Sequence, residues 1–182
     1  MLLGNVCLAQ ETLTENAVGV TLYSVDETVN QTQTNNSQTQ PNSWQDKAQE
    51  VLINALSLTG IQYKYGGGSP ATGFDCSGFV RYVFRNAANL SLPPTARAIA
   101  QIGKSVKKDD LQPGDLVFFN TLKKAFSHVG IYIGDNKFIH APSTGKVVQV
   151  DSMQNSYCAS HFEGAQRLDE EVEKSSNAAA IK

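Results

Sequence analysis

Long apolar runs, a large net charge and a second pair of metal-binding residues are all missing from this sequence. No stretch approaches the roughly 18 consecutive apolar residues that a membrane-crossing helix needs, so no transmembrane segment is expected. The formal net charge is −2. With neither a basic run nor an array of stacking aromatics, nothing argues for nucleic acid as a partner. Cys158 and His161 form a Cys-x-x-His pair, but a structural zinc site usually takes four ligands and no second pair stands at similar spacing. No metal is therefore expected, and Cys158 reads as a small hydrophobe. Gly66 to Gly68 is not followed by the lysine of a phosphate-binding loop, and no other cofactor motif appears. What is present is a hydrophobic fraction of 41% in 182 residues, enough for one domain and its core with residues to spare at each end.

Those spare residues differ in character. Residues 1–10 are short and apolar, with small residues at Cys7 and Ala9, like the end of a secretory signal peptide whose charged start is missing. Val6 stands where a lipid-attachment motif wants Gly or Ala. Residues 11–43 include a polar run from Gln31 to Gln40 with no apolar anchor, and a segment of that kind cannot offset its ordering entropy. It is expected to be a disordered linker. Folding is expected to begin at the capping-box pattern Ser43-Trp44-Gln45-Asp46. Trp44, Ala48, Val51, Leu52, Ala55 and Leu56 then make one apolar helical face. Residues 44–168 form the expected folded domain, and residues 169–182 a charged, frayed tail.

The densest chemical signal is Gly73-Phe74-Asp75-Cys76-Ser77-Gly78-Phe79-Val80. Phe79, Val80, Val83, Phe84 and Ala87 recur at helical spacing, which places Cys76 in the first turn of a helix. Unpaired N–H groups and the macrodipole favour negative charge there and can lower a thiol pKa, and the thiolate is the nucleophile. A buried, inert cysteine is the competing interpretation. Two of the three histidines shift the balance. Ser127 to Ile133 and Lys137 to Ala141 are β-branched and aromatic runs around Gly134-Asp135-Asn136, a hairpin signal with a three-residue loop. Pairing Ile133 with Lys137 sets Ile131 against Ile139 and Gly130 against His140. His128, Gly130, Tyr132, Phe138 and His140 then share one face, with His128 diagonal to His140. A one-residue slip would separate the two rings. Cys76, His128 and His140 supply one residue type each for nucleophile, base and orienting group.

Here the sequence resembles a known family, the NlpC-type bacterial cell-wall cysteine peptidases. Phe74 to Val80 is similar to its nucleophile motif, Ser127 to Gly134 to its base motif, and Phe138-Ile139-His140-Ala141 to its third-residue motif. Tyr63-Lys64-Tyr65-Gly66-Gly67 resembles the aromatic-glycine segment upstream of the nucleophile. Leu111 to Phe119 and Pro94 to Arg97 resemble two intervening segments. The likeness spans about residues 44 to 168, with its motifs in order. It implies that Cys76 attacks a peptide carbonyl, His128 is the general base and His140 orients it. It implies that Tyr63 sits near the oxyanion, with Tyr65 as competitor because Gly66-Gly67-Gly68 runs one glycine long. It also implies that Asp75, Ser77 and Ser127 line the cleft and contact substrate. The implied substrate is a peptidoglycan stem peptide, cut beside D-glutamate and a diamino acid or at a cross-link. Export to the periplasm or cell envelope would follow, with wall targeting left to a partner or to the linker.

Helices are expected first (including Thr95 to Ile102), then strands at Leu116 to Phe119, Val129 to Ile133, Lys137 to Ala141, Val147 to Val150 and near Gly164 to Leu168. That order argues for an α+β fold, and the resemblance makes it papain-like. Two other functions stay open at this level. One is a related Cys-His amidase, acyltransferase or thioesterase; the other is a non-catalytic wall-binding module. Cys76 preceding both histidines argues against the circularly permuted acyltransferase branch.

Overall fold

A computed structural model describes residues 44–121, 125–169, 171, 172 and 174. The expected signal-peptide remnant, the linker and most of the tail lie outside the described residues. The apolar stripe of residues 44–56 forms helix α1, Trp44–Ser57, which buries Val51 and Ala55 and leaves Leu56 facing outward. The glycine-rich segment that follows makes two short paired strands, β1 (Gly68–Ser69) and β2 (Gly73–Phe74). Helix α2, Cys76–Ala88, buries Phe79, Val80, Val83 and Phe84, the face its periodicity selects. Helix α3 spans only Ala96–Ile99, shorter than expected, with the Thr95 side chain capping its start.

The sheet is built from β3 (Lys104–Val106), β4 (Leu116–Phe119), β5 (His128–Gly134), β6 (Lys137–His140) and β7 (Gln149–Ser152). A short helix, α4 (Ser156–His161), precedes the last strand, β8 (Phe162–Arg167). The spatial order is β3-β8-β4-β5-β6-β7, and neighbouring strands pair antiparallel throughout. Helices first and an antiparallel sheet after them make the fold α+β. Side chains alternate faces along each strand. Leu116, Phe118, Val129, Ile131 and Ile139 join the helices in the main core. Val117, Phe119, Tyr132, Phe138, Met153 and Ala165 form a second cluster. Asp115, almost fully buried at the head of β4, holds Arg167 through both carboxylate oxygens at 2.8 Å. Asp169, in the expected tail, pairs with Lys104 at 2.7 Å and accepts the Val172 N–H.

Two expectations of register need correction. Lys137 pairs with Gly134 rather than Ile133, although Ile131 does face Ile139. The loop is two residues long, Asp135-Asn136, both with positive φ (50° and 55°), and a bulge falls between Tyr132 and Gly134. Asn and Asp tolerate the left-handed region, and such a turn matches the twist of its strands. β7 starts two residues later than expected because Val147 and Val148 are already engaged. Val147 bridges Gln62, and the Val148 N–H donates to the Ile61 carbonyl at 2.8 Å.

Candidate active site

Cys76 opens α2 because Asp75 ends the extended chain and caps the helix. Asp75 Oδ1 accepts the Gly78 N–H at 2.7 Å, and Oδ2 accepts the Gly66 N–H at 3.0 Å. Ser77 Oγ donates to Asp75 Oδ1 and to the Pro94 carbonyl. A Cβ on Gly78 would sit 2.0 Å from the Gly67 carbonyl, so glycine there lets the glycine loop close onto the helix start. These contacts aim Cys76 but occupy Asp75 and Ser77, neither of which lines the cavity described next.

A cavity of about 430 Å³ brings together Cys76, His128, His140, Tyr63 and Ser127, five of the seven residues singled out in the sequence. The His128 Nε2 and His140 Nδ1 atoms lie 2.6 Å apart, and His140 Nε2 lies 2.9 Å from Asp151 Oδ2. The two histidines share a face, as the hairpin register requires. Gly130 makes room: a Cβ there would lie 2.7 Å from Phe138 Cδ2 and 3.2 Å from His140 Cβ. Tyr63 is held by its N–H on the Lys146 carbonyl (2.9 Å) and by a bridge to Phe74, while Tyr65 is 86% exposed. Of the two tyrosines, Tyr63 is the one in the cavity. The Ser127 hydroxyl accepts the Thr121 N–H at 2.9 Å, fixing the turn that enters β5.

The cavity lining also includes Asp151, Tyr157 and Cys158, none of which the sequence placed at the site. Asp151 stands opposite Phe138 on β7, two positions past Gln149, which faces His140. The strand pattern carried that signal, but it becomes readable only once the register of β7 is known. Cys158, expected to be a buried hydrophobe, packs beside the second apolar cluster and also faces the cavity.

The electrostatics differ from the sequence expectation. Burial, then the charge of Asp75, pushes the Cys76 thiol up to about 11 against the N–H groups of Val129, Ser77 and Cys76 that would lower it. The helix N-terminus was expected to lower that pKa. Its capping carboxylate already occupies the favourable field, and desolvation outweighs the remainder. Burial, then the neighbouring His140, brings His128 down to about 3, partly opposed by Asp151. The resting pair is therefore a neutral thiol and a neutral imidazole. Tyr63 is raised by burial and by the nearby Cys76.

A family model described as the NlpC/P60 family matches residues 60–167. The chain belongs to the NlpC/P60 family. Among relatives, the murein DD-endopeptidase MepH of Escherichia coli is 39% identical over 126 residues, 67% of this chain and 46% of that protein. A gamma-DL-glutamyl hydrolase of Bacillus subtilis is 39% identical over 120 residues, 65% of this chain and 29% of that protein. The chain thus spans less than half the length of these two relatives. The solved NlpC/p60 domain of the peptidoglycan hydrolase SagA shares 29% identity at a TM-score of 0.59, covering 66% of this chain and 98% of that one. The α+β fold is accordingly that of the papain-like NlpC/P60 domains.

Proposed function

We propose that this chain is a cysteine peptidase that hydrolyses an amide bond in peptidoglycan stem peptides. Cys76 is the nucleophile, His128 the general base and His140 its orienting partner. The observation that carries the reading is the single cavity in which the Cys76 thiol and the 2.6 Å His128–His140 contact meet. Because His128 Nε2 is engaged by His140, the nitrogen left to serve the thiol is Nδ1. The neutral pair sets the order of events. As sulfur attacks the carbonyl carbon, its proton passes to His128 Nδ1, and the C=O electron pair becomes the oxyanion. The Tyr63 hydroxyl and the N–H groups at the start of α2 stabilise that charge, and one such donor is typically worth on the order of 100- to 1000-fold in rate. Collapse breaks the C–N bond, and His128 returns its proton to the leaving amine. Water, deprotonated by the same nitrogen, then attacks the thioester, frees the acid and restores the thiol.

Asp75 and Ser77 position the nucleophile from behind, and Ser127 shapes the cavity rim. Among the described residues no helix is long and apolar enough to cross a membrane. The substrate lies outside the cytoplasmic membrane, so the enzyme works as an exported protein in the periplasm or cell envelope. The two relatives are named for different activities, a murein DD-endopeptidase and a gamma-DL-glutamyl hydrolase. Mass spectrometry of purified peptidoglycan, digested with the chain beside its Cys76→Ala variant, distinguishes them. Cysteine-dependent loss of cross-linked dimers marks an endopeptidase between strands. Cysteine-dependent shortening of monomer stem peptides marks cleavage beside D-glutamate. Identical digests would overturn the proposal.

A further inference from the structure

We infer that Asp151 is a positioning residue that selects the tautomer of His128 through His140, making a relay of four side chains rather than three. The inference rests on the catalytic reading above, but its geometry stands apart from it. An ionised carboxylate only accepts hydrogen bonds. Asp151 Oδ2, at 2.9 Å, therefore requires the proton of neutral His140 to be on Nε2. His140 Nδ1 is then bare, and the hydrogen in the 2.6 Å contact must come from His128 Nε2. With Nε2 protonated, neutral His128 carries its lone pair on Nδ1, where a thiol proton can be accepted. The opposite arrangement would put a hydrogen on Nδ1 and disable the base.

Asp151 is itself held. Gln149 Nε2 donates to both of its oxygens, at 3.0 and 3.1 Å. Gln149 faces His140 across the β6–β7 pair, and Asp151 faces Phe138, so carboxylate, amide and imidazole sit on one side of the sheet edge. His140 is 5% exposed, which leaves its ring no bulk solvent to satisfy Nε2 in place of the carboxylate. During attack Asp151 stays ionised, and its charge faces the positive charge that develops on the imidazole pair.

Replacing Asp151 by Asn substitutes a group that can donate as well as accept, and Ala removes the partner altogether. Both variants release the tautomer without touching the thiol. The full chain labelled with 15N-histidine reports each ring directly in long-range 1H–15N correlation spectra. His161 serves as an internal contrast, because its Nδ1 lies 2.7 Å from the Tyr157 carbonyl and must carry the hydrogen. In the wild-type chain His128 and His140 are expected as Nε2–H tautomers. In Asp151→Asn and Asp151→Ala, His128 should gain Nδ1–H population. Their kcat on stem-peptide substrate should fall at least about 10- to 100-fold with little change in KM, the range typical when the carboxylate or carbonyl partner behind a metal-bound histidine is lost. An unchanged His128 tautomer in Asp151→Ala overturns the inference whatever the activity. A redistributed tautomer with wild-type kcat overturns it as well. Absence of any Cys76-dependent hydrolysis by the wild-type chain would instead refute the peptidase reading, and the spectra would still decide the role of Asp151.

Discussion

Gly130→Ala tests whether the space between the two histidine strands is as full as the geometry says. The added Cβ would lie 2.7 Å from Phe138 Cδ2, 3.0 Å from the Ile139 carbonyl oxygen and 3.2 Å from His140 Cβ. Ordinary carbon contacts begin near 3.5 Å, so the first distance falls short by about 0.8 Å. Phe138 is 1% exposed, with its ring centroid 4.8 Å from that of Phe119 and 4.6 Å from that of His140. It has no free direction in which to yield. Overpacking of this kind costs about 1–3 kcal/mol, and the entropy gained by replacing a strand glycine returns about 0.5–1 kcal/mol. A net loss of up to about 2.5 kcal/mol remains, which should lower Tm by up to roughly 10 °C for a domain of this size. Activity should suffer more than stability. A ring pushed toward His140 disturbs the 2.6 Å contact with His128, and misplacement of about 1 Å can cost on the order of 100-fold. The assay is calorimetric Tm beside hydrolysis of purified peptidoglycan at a temperature where both proteins are folded. A variant with wild-type Tm and wild-type rate would refute the packing.

Cys76 should be alkylated slowly by iodoacetamide at pH 7, where a thiol pushed up to about 11 is ionised to on the order of one part in ten thousand. The rate should climb about tenfold per pH unit toward pH 10, and a fast plateau between pH 6 and 8 would mean a thiolate–imidazolium pair instead. Stability should fall as pH drops from about 6.5 toward 3, because unfolded His128 takes up a proton near 6.5 while the folded ring, at about 3, does not. Urea unfolding midpoints that are equal at pH 7 and pH 4.5 would contradict this sign. Tyr63→Phe keeps the ring and removes the hydroxyl, so kcat should fall on the order of 100-fold or more with an unchanged Tm. Equal rates would remove Tyr63 from the oxyanion site.

The parts of the molecule that could be read in advance are those fixed by local periodicity. Phe79, Val80, Val83 and Phe84 announced α2 and its buried face, and the alternation from His128 to Tyr132 placed both histidines on one side of the hairpin. Family membership was visible because six short segments kept their order. What stayed hidden depends on contacts between distant segments. Val147 and Val148 carry strand propensity, yet residues 60–63 claim their hydrogen bonds, which shifts β7 to Gln149–Ser152. That shift brings Asp151 to His140, so the residue proposed to set the tautomer lies just where sequence register fails. The thiol illustrates the same limit in electrostatic form. A helix start can be recognised in a sequence, and its dipole predicts a lowered pKa. The depth of burial and the orientation of Asp75 are tertiary facts, and both act in the opposite direction. In the proposed mechanism the base therefore takes the proton during attack rather than before it. Control of the His128 tautomer then matters more than pre-formation of a thiolate, since an imidazole already protonated on Nδ1 has nothing to offer a neutral thiol.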